Sequence, residues 1–332
     1  MSARVRQPRR PGRPVLARAA QAGQPGRSRP APAAALAVGV AAAGAARAAY
    51  AALSRRPPGG AGTWTRTNHR GEQLTLLEGP ALAVASVAVP AIGPGLPGNV
   101  RAALAVAGAG AAAFGGYDDL AGSGSRRGVR GHLGALAHGE VTTGAVKLGG
   151  IGVTGLVSAA LLGGGPADVA INAGLVAGGA NLLNLFDLRP GRALKVALAS
   201  GTLLAIGADS GPGARLTVAA PLGAAIALLP EDLGERAMLG DAGANALGAL
   251  LGVAAGAGLS RPARLALLAA ITGLTAASEV VSFTAVIERT PALRWLDMLG
   301  RRPVPAAPVP GRDDPPPAEP REAGTTAAAA PS

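Results

Sequence analysis

The chain contains no cysteine and few aromatic residues, which make up only 2% of its 332 positions. Without cysteine there is no disulfide frame, no thiolate nucleophile and no Cys-ligated zinc. Histidine is almost as scarce. His69, His132 and His138 do not share the spacing of a metal-binding cluster. Bulky core formers are few, although 49% of the chain is hydrophobic. The apolar content lies in small side chains, with 51 glycines among them. A soluble core built this way would bury little area per residue. Small residues suit helices packed in lipid, where they let backbones approach closely. The composition therefore reads as a membrane protein first and an Ala-rich soluble bundle second.

The formal charge is +12. Such a balance raises nucleic acid as a partner. Here, however, the basic residues sit in tails and short loops between apolar runs, where the positive-inside rule puts them. Nucleic acid is therefore not expected.

Residues 1–30 carry eight arginines, several prolines and no acid. They read as a disordered basic arm. The apolar stretch that follows, residues 31–53, is too long for a typical signal-peptide core and is expected to be a first transmembrane helix. Eight further apolar segments follow, at about 80–97, 102–116, 146–163, 168–186, 194–208, 214–229, 242–259 and 264–287. The expected fold is an all-α polytopic membrane helix bundle of about nine transmembrane helices, spanning residues 31–302. Residues 303–332 are rich in proline and alanine and read as a disordered tail.

If the helices alternate, loops 54–79, 117–147, 187–195, 230–241 and 288–302 share one face and carry sixteen Lys or Arg. The opposite loops carry only Arg101, Arg215, Arg261 and Arg264. The asymmetry assigns the first set to the cytoplasm. The same parity places the Arg-rich arm outside, against the rule, and the five later loops outweigh it.

Acids are rare, nineteen in all, so their positions carry information. Asp118 and Asp119 end one apolar run, Asp187 ends another, and Asp241 opens a third. All fall at the expected cytoplasmic boundary, on separate loops. Carboxylates meeting there suit Mg²⁺, which takes oxygen ligands and substrate phosphates. Arg126, Arg127, Arg130, Arg189, Arg192 and Lys195 lie in the same loops and suit phosphate oxygens. The plainer alternative is that each acid caps a helix and faces water.

The order Asp118-Asp119, then Asn184-x-x-Asp187, then Gly240-Asp241-Ala242-Gly243 resembles the polyprenyl-phosphate N-acetylhexosamine-1-phosphate transferases. That family includes phospho-N-acetylmuramoyl-pentapeptide transferase and the GlcNAc-1-phosphate transferases. The resemblance runs from about Arg66 to Arg302. It makes Asn68, His69 and Arg70 part of a first cytoplasmic loop near the nucleotide, and Asp241 a Mg²⁺ ligand with Asp118 beside it. It gives Asp118, Asp119 and Asp187 catalytic roles and Asn184, Arg189, Arg192 and Lys195 substrate-binding ones. The chain also departs from the family. Pro190 stands where the family has an acid framing the nucleotide. Residues 287–295 replace its His-rich motif, and a Pro-rich segment follows Arg302 where its last helix would be.

The resemblance implies transfer of a sugar-1-phosphate from a nucleotide-sugar, UDP-N-acetylhexosamine foremost, to a polyprenyl phosphate. The setting would be the cytoplasmic face of the plasma membrane, in cell-envelope glycan synthesis. Homodimerisation is left open. The rival expectation is a non-catalytic relative that binds or scaffolds in envelope assembly. A transporter is a weaker third, since no internal repeat with midplane polar breaks is evident. Three further features read plainly. Gly108-Ala109-Gly110 lies inside an apolar run and reads as helix packing rather than a dinucleotide fingerprint. Glu279 falls within an expected span, where an acid is costly. Residues 288–301 alternate basic and apolar side chains, as an interfacial helix would.

Overall fold

The computed structural model describes residues 32–122, 134–135, 138–207 and 214–303. The basic arm, Arg126, Arg127, Arg130, His132 and the tail beyond Pro303 lie outside the described residues. Those described up to Arg301 belong to one compact unit.

The fold is helical. In chain order the helices are α1 (Pro32–Arg55), a short α2 (Ala61–Trp64), α3 (Glu78–Ile92), α4 (Gly98–Ala121), α5 (Thr143–Leu162) and α6 (Pro166–Phe186). Then follow α7 (Arg192–Ile206), α8 (Ala214–Leu233), α9 (Gly240–Gly258), α10 (Arg261–Ser278), α11 (Phe283–Arg289) and α12 (Pro291–Met298). The only strands among the described residues are β1 (Thr65–Thr67) and β2 (Gln73–Thr75), which form an antiparallel hairpin.

Local chemistry accounts for several boundaries. The Thr142 hydroxyl accepts the Ala145 amide at 3.1 Å and caps α5. Pro166 opens α6, where its missing N–H forfeits no helical bond. The expected segment 80–97 ends instead at Ile92, because residues 93–97 contain Pro94, Pro97 and Gly95 at φ +93°.

The nine apolar segments all appear as helices, but not as nine demonstrated spans. Among the described residues, α1, α4, α5, α6 and α8 are long and apolar enough to cross a membrane. The total becomes six if α10 and α11 count as one bent span. Helices α3 and α7 have 15 residues each. At about 1.5 Å per residue they fall short of a hydrocarbon core of about 30 Å. The expected continuous segment 264–287 is corrected: it breaks after Ser278, and α11 leaves at 93° to α10. The Ser282 hydroxyl accepts the Ala285 amide, and this cap starts a new helix. Glu279 therefore sits at the bend.

Helix α9 is the axis of the bundle, buried along almost its whole length and packed against α3, α4, α6, α7 and α8. Its Gly/Ala composition permits this. At the crossing with α6, a Cβ on Gly248 would strike the backbone carbonyl of Gly179. The outward faces are apolar as well: Leu36 and Val40 on α1, Val153 and Leu156 on α5, and Leu203 and Ile206 on α7 are all exposed. Helices apolar on both faces suit a lipid surround.

Candidate functional site

Alternation of the helices brings the ends of α4, α6 and α8 to the same end of the bundle as the starts of α3, α5, α7 and α9. The acids gather there. Both oxygens of Asp119 accept backbone amides at the start of α9, from Asp241 at 3.0 Å and Ala242 at 2.9 Å. The first amides of a helix have no partner within it, and a carboxylate is a favourable one. Immediately before them the chain turns through Gly240 at φ +60°. A Cβ there would come to 2.9 Å from Asp119 Oδ2, so the turn requires glycine. Arg66 donates to the backbone carbonyl of Asp119 and ties the β hairpin to the same corner.

Asp118, one residue earlier, points elsewhere. Lys147 Nζ on α5 lies 2.8 Å from Asp118 Oδ2 and 2.5 Å from Asp241 Oδ2. One ammonium thus joins carboxylates from two other helices. The three side chains remain partly open, at 17%, 24% and 14% exposure for Asp118, Asp241 and Lys147.

A second set of acids is buried more deeply. Asp187, at the end of α6, and Asp232, at the end of α8, are 8% and 2% exposed; Glu78, opening α3, is fully buried. Asp232 Oδ1 accepts the Gly191 amide at 3.0 Å. Asp232 Oδ2, Asp187 Oδ2 and both Glu78 carboxyl oxygens have no hydrogen-bond partner among the described residues. Unpaired buried carboxylates are costly, so protons or a cation must offset such a group. Burial pushes the Asp187 carboxyl well above its ordinary range, and the negative charges of Asp232, Asp241 and Asp119 push it further.

The hairpin turn forms one wall of a cleft of about 210 Å³ that also contains Asp187, Arg189, Pro190, Asp232 and Glu235. Glu235 holds the turn, accepting Asn68 Nδ2 and Arg70 Nε, each at 2.9 Å. His69 Nδ1 stands 4.0 Å from Glu235. Burial lowers the His69 pKa; the nearby Glu235 opposes this, and the cations Arg189, Arg301 and Arg70 add to it.

The sequence-expected residues thus separate into groups. Asp118, Asp119 and Asp241 meet directly, and Asp187 lies within their electrostatic reach. Asn184 is in the last turn of α6, where its carbonyl accepts the Asp187 amide at 3.1 Å. His69, Arg70 and Arg189 surround or support the cleft. Arg192 and Lys195 turn away to the carboxy-terminal helices. Arg192 makes a two-pronged contact with Asp297 at 2.7 and 3.1 Å and donates to Thr284 at 3.0 Å. Lys195 donates to the carbonyls of Leu296 and Asp297 at 3.1 and 2.7 Å.

Sequence reasoning did not single out Lys147, Glu78, Asp232 or Glu235. A signal existed for each: Lys147 is one of two lysines in the chain, and the others belong to a small set of acids in apolar surroundings.

The donor set suits Mg²⁺ in a restricted sense. No group of three or more His, Cys, Asp or Glu among the described residues could hold a metal ion. Mg²⁺ does not need such a cage, because it commonly takes one or two carboxylates with waters and substrate phosphates. Asp241 and Asp118 offer partly open carboxylates, and the unpartnered oxygen of Asp187 adds uncompensated acceptor capacity nearby. Lys147 occupies the space between the first two and must move if an ion is to bridge them. Compared with known proteins, the chain matches no family model, and no curated protein is significantly similar to it.

Proposed function

We propose that the chain is a membrane-embedded sugar-1-phosphate transferase acting between a nucleotide-sugar and a polyprenyl phosphate. The observation that carries the reading is the Asp118–Lys147–Asp241 bridge, which gathers three helices into one partly open charged site at the end of an apolar bundle. The motif order in the sequence, with its resemblance to the polyprenyl-phosphate transferases, supplies the reaction class. In this reading all nine long helices are embedded in the bilayer, with the short α3 and α7 placed where the acid-bearing end is recessed. That end faces the cytoplasm of the plasma membrane.

Phosphoryl transfer rests mainly on positioning and charge stabilisation. An oxygen of the acceptor phosphate attacks the sugar-linked phosphorus of the donor, and the bond to the nucleoside monophosphate breaks. Lys147 leaves its two carboxylates to bind phosphate oxygens. Asp118, freed from it, orients the acceptor or takes its proton. Asp119 fixes the start of α9 and so the direction of Asp241. Asp241, with Asp118 or Asp187 near it, would hold Mg²⁺, which when bound neutralises diphosphate charge. The cleft beside Asn68, His69 and Arg189 takes the nucleoside.

A second reading is a non-catalytic relative that binds or scaffolds in envelope assembly. It is favoured by the same bridge, because Lys147 already neutralises Asp118 and Asp241 internally. A transfer assay in reconstituted membranes separates the two, using labelled UDP-, GDP- and dTDP-sugars, polyprenyl phosphate and Mg²⁺. Mg²⁺-dependent labelling of the lipid is expected in the wild type and none in Asp241→Asn, with detergent stability retained. Lipid labelling by Asp241→Asn at the wild-type rate would remove Asp241 from the reaction. No labelling with any donor would favour the scaffold.

A further inference from the structure

Helix α12 is docked the wrong way round for a protein in water. At about 100° per residue, Trp295 lies nearly opposite Asp297 on α12, with Leu296 between them, and Leu299 follows just after the helix. In a soluble protein the apolar face would turn inward. Here Asp297 is buried, held by Arg192 and by Arg301 at 2.7 Å. The apolar face points out: Trp295 is 65% exposed, Leu296 50% and Leu299 54%.

The approach to α12 has the same character. α11 runs at 93° to α10, so if α10 stands along the membrane normal, α11 lies in the membrane plane. Val280 and Val281 at the bend and Val286 on α11 are exposed. Arg289 and Arg294 are exposed beside them and make no ion pair among the described residues. The pair of helices is also firmly attached. The Phe283 ring stacks on Phe186 with centroids 5.2 Å apart, directly before Asp187, and Arg192 bonds Thr284 as well as Asp297. Together these give an exposed tryptophan and leucines, with flanking arginines, on a segment that turns sharply away from α10. That combination fits a lipid interface and not water.

We propose that α11–α12 is an interfacial strap lying in the headgroup–acyl boundary of the bilayer. Its Trp295 face rests on acyl chains, and Arg289 and Arg294 contact the phosphates of anionic headgroups. Because the strap is anchored at Phe186 and Arg192, it sets the depth of the acid-bearing end at the headgroup layer. That consequence matters for lipid-phosphate presentation only if the transferase reading holds, whereas the strap's position stands independently of it.

The chain contains two tryptophans, so Trp64→Phe leaves Trp295 as the sole reporter. The full-length variant is reconstituted into vesicles of phosphatidylcholine, with or without phosphatidylglycerol, brominated either near the headgroup or near the chain end. Shallow bromines are expected to quench most of the Trp295 emission and deep bromines much less. Phosphatidylglycerol should increase the shallow quenching, and Arg289→Gln with Arg294→Gln should remove that increase. If Trp64→Phe fails to fold, the difference between wild type and Trp295→Phe gives the same signal. Emission unaffected by brominated lipid but quenched by aqueous iodide would overturn the proposal. So would stronger quenching by deep bromines, which would make the segment a span. Protection from lipid that appears only at high protein density would overturn it too, by making a second copy the occupant. None of these readouts involves transfer, so failure of the strap and failure of the transferase reading are separable.

Discussion

The adjacent carboxylates Asp118 and Asp119 should fail in opposite ways when replaced. Asp119→Ala removes the acceptor of two amides at the start of α9, at 3.0 and 2.9 Å. Loss of a helix cap costs about 0.5–2 kcal/mol, and a hydrogen bond to a charged group is worth about 1.5–3 kcal/mol. The site is half-buried, so water recovers part of the loss, and about 3 kcal/mol is a reasonable total. Asp119→Asn keeps one acceptor oxygen and should lose roughly half of that. Asp118→Ala differs, because Lys147 keeps its 2.5 Å partner Asp241 and no buried charge is left alone. Its cost should be about 1 kcal/mol or less.

At about 2–4 °C per kcal/mol, Asp119→Ala should lower the apparent melting temperature by roughly 6–12 °C and Asp118→Ala by at most about 4 °C. Thermal melts in one detergent, followed by monodisperse recovery, measure the difference. In the transfer assay the order should reverse: Asp118→Asn is silent at a near-normal melting temperature, and Asp119→Asn retains activity below its own. A larger thermal loss in Asp118→Ala than in Asp119→Ala would refute the division of roles.

Two further outcomes follow from titration. The Asp187 carboxyl titrates well above its ordinary range, so its contribution to folding is present at low pH and lost as pH rises through the folded value. Asp187→Asn should therefore melt higher than wild type, by a margin that grows with pH and that added Mg²⁺ narrows; a margin independent of pH would contradict this. His69 is held below its ordinary 6.5, so its neutral form is favoured in the fold and stability falls as pH drops through 6.5. His69→Gln should flatten that acid limb in melts across the window, and an unchanged limb would assign it to other groups.

Much of the fold was legible because Gly, Pro and charge punctuate the apolar runs. The run 168–186 ended where Asp187 stands and Pro166 separates it from the run before, while the run expected to reach residue 97 stops short of Pro94; all nine appear as helices in order. Which faces turn inward was not legible. A chain of Ala, Gly, Val and Leu carries little contrast between its buried and exposed sides. Helix α9 shows the difficulty: it is the most buried element, yet its sequence differs little from that of α5, whose Val153 and Leu156 are exposed. The bend after Ser278 was missed for a related reason. Val280, Val281 and Phe283 continue the apolar pattern straight through it, and only the Ser282 cap marks the new start.

At the site, scarcity of acid made Asp118, Asp119, Asp187 and Asp241 visible, while the ion pairs of the cations were not legible because their partners are remote in sequence. Arg192 and Lys195 sit beside Asp187 in sequence, which suggests phosphate binding, yet both are engaged by residues 296–297, about a hundred positions later. Arg70 is likewise tied to Glu235. With these removed from the count, Lys147 is the cation that reaches between the carboxylates of an end holding Glu78, Asp118, Asp119, Asp187, Asp232 and Asp241. Such an end repels a diphosphate until its charge is offset. Protons on the buried acids can supply part of the offset, and a divalent ion on Asp241 can supply more. Lys147 alone cannot, since it is already shared by two acids. If the proposed transferase reading holds, added cation is therefore expected to strengthen the binding of an anionic substrate. Nucleotide-sugar binding should vanish in chelator in the wild type. In Asp241→Asn, which removes one of the repelling charges, weak metal-independent binding should appear even though transfer is lost. Equal affinity with and without Mg²⁺ in the wild type would show that the acids are already neutral, and the cation would then have no electrostatic reason to be there.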